Sequence, residues 1–214
     1  AVTRFLTDTY GQTHWTRSAL HEWVASIKVP YVVDINRDTQ LQEARADTPH
    51  TLIRGISRVA RTDYRFRIHA LDGSVYREIT QEEVDPALPI LFKPMGSPLP
   101  DPVCIASDAD YVDYITELTG GFAIPEFLKI RRAGVQYLLL GLRLNRDTES
   151  MVLADIVYAA GSPCGWALIP DPTGKERRFC KHLGMEIVEG DIGDLLAFTR
   201  DHEALTENVT MVGC

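Results

Sequence analysis

Gln136-Tyr137-Leu138-Leu139-Leu140-Gly141 is a continuous apolar run that stops on a glycine. The segment after it, Thr148 to Ala160, places Met151, Val152, Ala154, Asp155 and Tyr158 on adjacent turns of a helix. A second apolar run follows, Gly165-Trp166-Ala167-Leu168-Ile169-Pro170. Runs that are apolar at every position, rather than at every second one, mark strands covered on both faces. A strand, a helix and a strand at this spacing make a βαβ unit, and βαβ units make a parallel sheet.

The same pattern extends in both directions. Pro30-Tyr31-Val32-Val33-Asp34-Ile35-Asn36, Pro89-Ile90-Leu91-Phe92-Lys93 and Met185-Glu186-Ile187-Val188 read as further buried strands. Helices are expected over Ser18–Ile27, Asp108–Leu118, Pro125–Ala133, Lys175–Leu183 and Ile192–Thr206. Residues 64–80 differ: Arg65-Phe66-Arg67-Ile68-His69 alternates, Asp72-Gly73 is a turn signal, and Val75 to Ile79 alternates again. That stretch predicts an antiparallel hairpin inserted as a small projection. Pro94 to Pro102, with four prolines, predicts a rigid loop. The fold class expected is α/β: one domain over 1–214, with a Rossmann-like parallel sheet, helices on both faces and the hairpin insertion.

Composition limits the functions. A chain of 214 residues that is 45% hydrophobic can bury a real core in one domain. Its net charge of -8 repels phosphate backbones and anionic lipid, so neither nucleic acid nor a membrane is an expected partner. No apolar run is long enough to span a bilayer, and the opening residues do not read as a signal peptide, so a cytoplasmic protein is expected. Cys104, Cys164, Cys180 and Cys214 are scattered, and His182 beside Cys180 does not make a four-ligand set. Reduced thiols and no metal site are expected.

In an open parallel sheet, ligands lie beyond the carboxyl ends of the strands. The residues there are Asp34 to Thr39, Pro94 to Ser97, Gly141 to Asp147, and Asp171. Asn36 and Asp38 suit a ribose, with an amide that donates and accepts and a carboxylate that accepts. They equally suit a strand-end turn. After Gly141, Asn145 or Asp147 can cap the next helix, and Arg143 and Arg146 can bind phosphate. The same arginines can instead pair with Glu149 or Asp155.

Four segments, in this order, resemble the sirtuin-like domains of bacteria, especially their zinc-free branch. Asp34-Ile35-Asn36-Arg37-Asp38 is similar to the family's Asn-x-Asp strand end, and Lys93-Pro94-Met95-Gly96-Ser97 to its Lys-Leu-His-Gly-Ser segment. Ser107-Asp108-Ala109-Asp110-Tyr111 is similar to the acidic, Tyr-containing helix start that follows. Tyr137 to Leu144 with Asp147 is similar to the family's apolar strand, glycine, turn and aspartate. The resemblance implies NAD or ADP-ribose at the sheet edge. Asn36 and Asp38 would face the nicotinamide ribose, Gly96 and Ser97 would belong to the same site, Gly141 and Arg143 would lie near the phosphates or adenosine ribose, and Asp171 near the adenine.

Two departures from the family matter. Met95 stands where the family carries its catalytic His, and a thioether cannot take a proton from a ribose hydroxyl. The Gly-Ala-Gly-x-Ser phosphate loop should precede the first strand, yet residues 1–29 contain only Gly11. The expectation is therefore a catalytically degenerate accessory or regulatory protein with a partial nucleotide site. The alternatives are an NAD-consuming glycohydrolase or deacylase completed by a partner subunit, and a ligand-free interaction module. A protein partner or a homo-oligomer suits all of them, and Tyr10, Trp15 and Trp23 are a contact surface or core.

Other clusters favour ordinary roles. Arg54, Arg58 and Arg61 would share a helix face, solvated or paired with acids rather than holding phosphate. Asp108, Asp110 and Asp113 lack the glycine and the final Glu of a calcium loop, and a helix cap explains them better. The histidines show no metal spacing.

Overall fold

The computed structural model describes residues 2–12, 16–27, 29–57, 64–144, 146–201 and 210–213. Its centre is a nine-stranded sheet. In chain order the strands are β1 (Tyr31–Asp34), β2 (Thr51–Gly55), β3 (Phe66–Asp72), β4 (Val75–Ile79), β5 (Ile90–Lys93), β8 (Tyr137–Leu140), β9 (Gly165–Leu168), β10 (Met185–Val188) and β11 (Thr210–Gly213). The short pair β6 (Gly96–Ser97) and β7 (Val103–Cys104) forms a separate antiparallel ribbon. Across the main sheet the order is β10-β9-β8-β11-β1-β5-β2-β3-β4. All neighbours from β10 to β2 are parallel.

The expected strands and helices are present with ends shifted by a few residues. The helices are α1 (Val2–Gln12), α2 (Ala19–Ser26), α3 (Gln40–Ala44), α4 (Asp108–Thr119), α5 (Glu126–Arg131), α6 (Asp147–Ile156), α7 (Gly174–Leu183) and α8 (Ile192–Asp201). They cover both faces. Tyr31 and Val33 of β1 point into one core with Tyr114 and Leu118 of α4, Leu128 of α5, and Val152 and Ile156 of α6. Val32 points the other way, to Leu20 and Val24 of α2, Leu41 of α3, and Ile192 and Leu195 of α8. This alternation is why β1 is apolar at successive positions.

Three features differ from the sequence reading. The 64–80 hairpin does not stand off the sheet: β3 pairs antiparallel with β2 and β4 with β3, so the hairpin widens the sheet. Phe66 and Ile68 are thereby buried, and the open edge of β2 is capped. Arg54 lies in β2, not on a helix, and Arg58 and Arg61 lie outside the described residues. The segment after α8 returns as β11 and takes a central position between β1 and β8. The expected end of that last helix, residues 202–206, lies outside the described residues, as do His14, Trp15 and Cys214.

Caps fix several helix ends. Ser18 accepts from His21 N at the start of α2. Ser107 and Asp110 form a capping box on α4, which accounts for the aspartates there without calcium; Asp113 pairs with Arg65 at 2.7 Å. Thr173 and Glu176 form another on α7. Arg132 donates to the last carbonyls of α6, at Asp155 (2.6 Å) and Ile156 (3.1 Å). Among the described residues no helix is long and apolar enough to cross a membrane.

Candidate functional site

The carboxyl ends of the parallel strands lie level. Leu140 of β8 pairs with Gly213 of β11, Gly213 with Asp34 of β1, and Arg54 of β2 with Lys93 of β5. Segments 35–38, 94–97 and 141–144 therefore leave the sheet at one rim. A cavity opens there. Its volume is about 30 Å³.

Each wall comes from a different strand end. Ile35 and Arg37 follow β1, Met95 follows β5, and Leu142, Arg143 and Leu144 follow β8. Tyr111 of α4 and Glu149, Val152 and Leu153 of α6 close the rest. The lining is mostly apolar, with two guanidiniums, a phenol and one carboxylate. Arg37 is held rigidly: its Nε donates to Ile105 O at 2.8 Å, its Nη2 donates to the Tyr111 hydroxyl, and its guanidinium lies 5.7 Å from that ring centre. Arg143 is exposed and donates to Pro170 O at 3.4 Å. Glu149 accepts from Arg146 at 3.3 Å.

Of the cofactor-site residues assigned from sequence Arg143 lines this cavity, as do Met95 at the expected His position and Tyr111 of the acidic helix start. Asn36 sits half-buried on the loop beside it, its backbone N donating to Asp34 Oδ1 at 3.0 Å. Asp38 is buried and its Oδ1 accepts from Gln40 N at 3.0 Å, which starts α3. Gly96 turns the chain at φ +80, where an added Cβ would meet Val103 O at 2.2 Å. Ser97 is buried on the opposite side of the sheet, its hydroxyl donating to Gln42 Oε1 of α3. Gly141 closes β8 at φ 67 and is exposed; Asp171 is exposed at φ 48 after β9. Arg146 is the N-cap residue of α6, without a side-chain capping bond, and Asp147 in the first turn accepts from Lys175 at 2.9 Å. Asn145 lies outside the described residues.

Behind the rim lies a buried ion pair. Lys93 is wholly buried and donates to Asp34, itself 2 % exposed, at 2.5 Å. Burial raises the Asp34 carboxyl above its ordinary value of 3.8, and Lys93 opposes that rise without cancelling it. Arg54, also wholly buried, donates to Ser97 O (3.2 Å), Asp101 O (2.5 Å) and the Asp101 carboxylate, which also accepts from Arg67 at 3.2 Å.

A chain of hydrogen bonds continues from there. His50 Nδ1 lies 2.7 Å from Thr48 O, so that nitrogen carries the proton and Nε2 accepts from the Tyr76 hydroxyl at 2.9 Å. The Gln42 side chain hydrogen-bonds the same hydroxyl. Gln42 also donates to Leu99 O at 3.3 Å. Burial raises the Tyr76 phenol to about 12, so it remains protonated as this donation requires.

Neither Arg37 and Tyr111 as a clamped pair nor this polar layer was singled out from sequence. Arg37 and Tyr111 stand 74 positions apart, and only the β1–β5–α4 packing brings them together. Groups of three or more potential metal ligands are absent among the described residues. The described cysteines, Cys104, Cys164 and Cys180, are free and buried, and burial raises all three thiols, Cys180 to about 11.

No family model matches the chain, and no curated protein matches it either.

Proposed function

We propose that the chain is a sirtuin-like, non-catalytic binder of an ADP-ribose-type nucleotide, acting as an accessory or regulatory protein. The observation that carries the reading is the convergence of the β1, β5 and β8 ends on one cavity that presents Arg37 and Arg143. Two guanidiniums at the carboxyl rim of a parallel sheet suit a pyrophosphate. The apolar wall of Leu142, Leu144 and Val152 suits a base or the face of a ribose. The cavity is far smaller than a dinucleotide, so such a ligand would lie across the mouth with one end inside.

Among the described residues no imidazole lines the cavity, and Met95, 4 % exposed, has nothing with which to move a proton. Glu149 is engaged with Arg146. Binding without turnover follows. For the alternative of an NAD-consuming enzyme completed by a partner subunit, β1 already has both sheet neighbours, β5 on one side and β11 on the other, so such a partner would have to supply its phosphate loop without a strand beside β1.

Calorimetric titration with ADP-ribose and with NAD tests the reading, alongside an assay for nicotinamide release. The expected result is saturable binding of both, weakened at least tenfold by Arg37→Ala, with no nicotinamide formed. Absence of saturable binding up to about 1 mM, the weak end of ordinary affinities, sinks the binding claim. Nicotinamide release that disappears in Arg37→Ala sinks the non-catalytic one.

A further inference from the structure

The layer between α3 and the β2–β4 edge carries more positive charge than its own groups neutralise. Lys93 is matched by Asp34, Arg54 by Asp101, and Arg67 by Glu78 at 3.9 Å as well as by Asp101. Arg45, at the end of α3, is 2 % exposed, and its Nε and Nη1 meet no acceptor among the described residues. Arg54 Nε and His69 Nδ1 are buried and equally unmet.

All four of these atoms are donors. Arg54 Nη2 can only donate and lies 3.4 Å from His69 Nε2, so Nε2 accepts. The proton of the neutral ring is then on Nδ1. Tyr76 stands among these groups: the His50 and His69 rings pack against it edge-on at 5.6 and 6.5 Å, and both arginines act electrostatically on its hydroxyl.

We infer that this layer is a binding site for one small oxyanion of the phosphate or sulfate class, held by Arg45 with Arg54 and His69. A buried guanidinium lacking acceptors is strongly unfavourable until something supplies them. That something must accept hydrogen bonds, because the four unmet atoms of Arg45, Arg54 and His69 only donate. It must carry negative charge, because Arg45 has no carboxylate partner among the described residues. It must be small, because Gln42 ties α3 to the 97–101 loop through Ser97 and Leu99 O, and Tyr76 of the hairpin bonds His50 beside them. It enters from the sheet edge, where Tyr76 is half-buried and Asp101 is 44% exposed. The site lies on the opposite face of the sheet from the rim cavity and is independent of the nucleotide reading.

The test titrates inorganic phosphate into the full chain, with ionic strength held constant by a bulky organic anion, and follows both binding heat and Tm. Expected is saturable binding and a Tm rise on the order of 5 °C at phosphate well above Kd. Arg45→Met abolishes both, and its own Tm in the absence of phosphate is no lower than that of the unsubstituted protein. Arg143→Ala, which alters only the rim, leaves the phosphate response intact. A Tm indifferent to phosphate overturns the inference without reference to any variant. So does a response that survives in Arg45→Met, or one lost in Arg143→Ala, which would place the anion at the rim. If Arg45→Met does not fold, Arg45→Gln carries the same comparison.

Discussion

Replacing Lys93 by Met leaves the Asp34 carboxylate in the interior without its cation. Both side chains are at most 2 % exposed, so solvent screens neither the loss nor the original attraction. Removing one partner of a buried pair costs about 3–5 kcal/mol, a large part of the roughly 5–15 kcal/mol that holds an ordinary domain together. Asp34→Asn strands the Lys93 ammonium in the same way. The double variant removes both charges and is expected to recover at least about 2 kcal/mol of the summed single losses.

The pH dependence has a definite sign. Asp34 is already raised above 3.8 by burial with Lys93 present. Above 3.8 the native state keeps a proton that the unfolded chain releases, so this group's contribution to stability falls as pH rises through the window up to its raised value. Without Lys93 the opposing attraction is gone and the window extends upward. Lys93→Met is therefore hurt less at about pH 5 than at about pH 8. Urea denaturation of the four proteins at both pH values measures this. Strictly additive losses, or a Lys93→Met deficit equal at both pH values, would show that the pair is not the buried, coupled unit described.

Three further outcomes are expected. Gly96→Ala forces a side chain onto φ +80 and to within 2.2 Å of Val103 O, so it should cost about 3 kcal/mol or more and lower Tm measurably, whereas alanine at the exposed Gly174 should not. Burial, reinforced by Arg54, lowers the His69 imidazole from 6.5 to about 4; stability should thus be full above 6.5 and decline as pH falls toward 4, by on the order of 2–3 kcal/mol, with the decline flattened in His69→Phe. Cys104, Cys164 and Cys180 are buried with raised pKa values, so a thiol reagent at neutral pH should modify them on the timescale of unfolding; rapid labelling of all three in the native protein would contradict their placement.

The strands legible in the sequence were the mostly apolar runs β1, β5, β8, β9 and β10 and the alternating hairpin β3–β4, with Asp34 and Lys93 the charged residues at the ends of β1 and β5. β2 was hidden by Arg54, a charged residue that reads as solvated until its partners Ser97 and Asp101, more than forty positions away, are in place. β11 offers only Thr210 to Gly213, too short for periodicity to register, and its parallel pairing with β1 and β8 is wholly non-local. Gly141, Met95 and Asn36 were assigned to one rim on the premise of parallel strands, and the sheet places their segments there. What local pattern could not say is which side of the sheet each loop side chain takes. Ser97, two residues after Met95, belongs to the other face.

That division at residues 94–104 gives the two halves of the molecule their connection. Met95 packs with the core under α4 and α6 and lines the rim cavity. Gly96, at a φ open to glycine, turns the chain, and β6 pairs with β7 so that Ile105 N returns to Met95 O at 3.0 Å. Ile105 O is in turn the acceptor that holds Arg37. On the other face Ser97, Leu99 and Asp101 tie the same loop to Gln42 and Arg54. One short, proline-rich excursion thus fixes both a wall of the rim cavity and the roof of the donor-rich layer. Its position is set by the sum of those bonds, so a change in the contacts of Arg54 on one face bears on Met95 and Arg37 on the other. The bonds that hold the loop thus join the packing of the two faces through one segment.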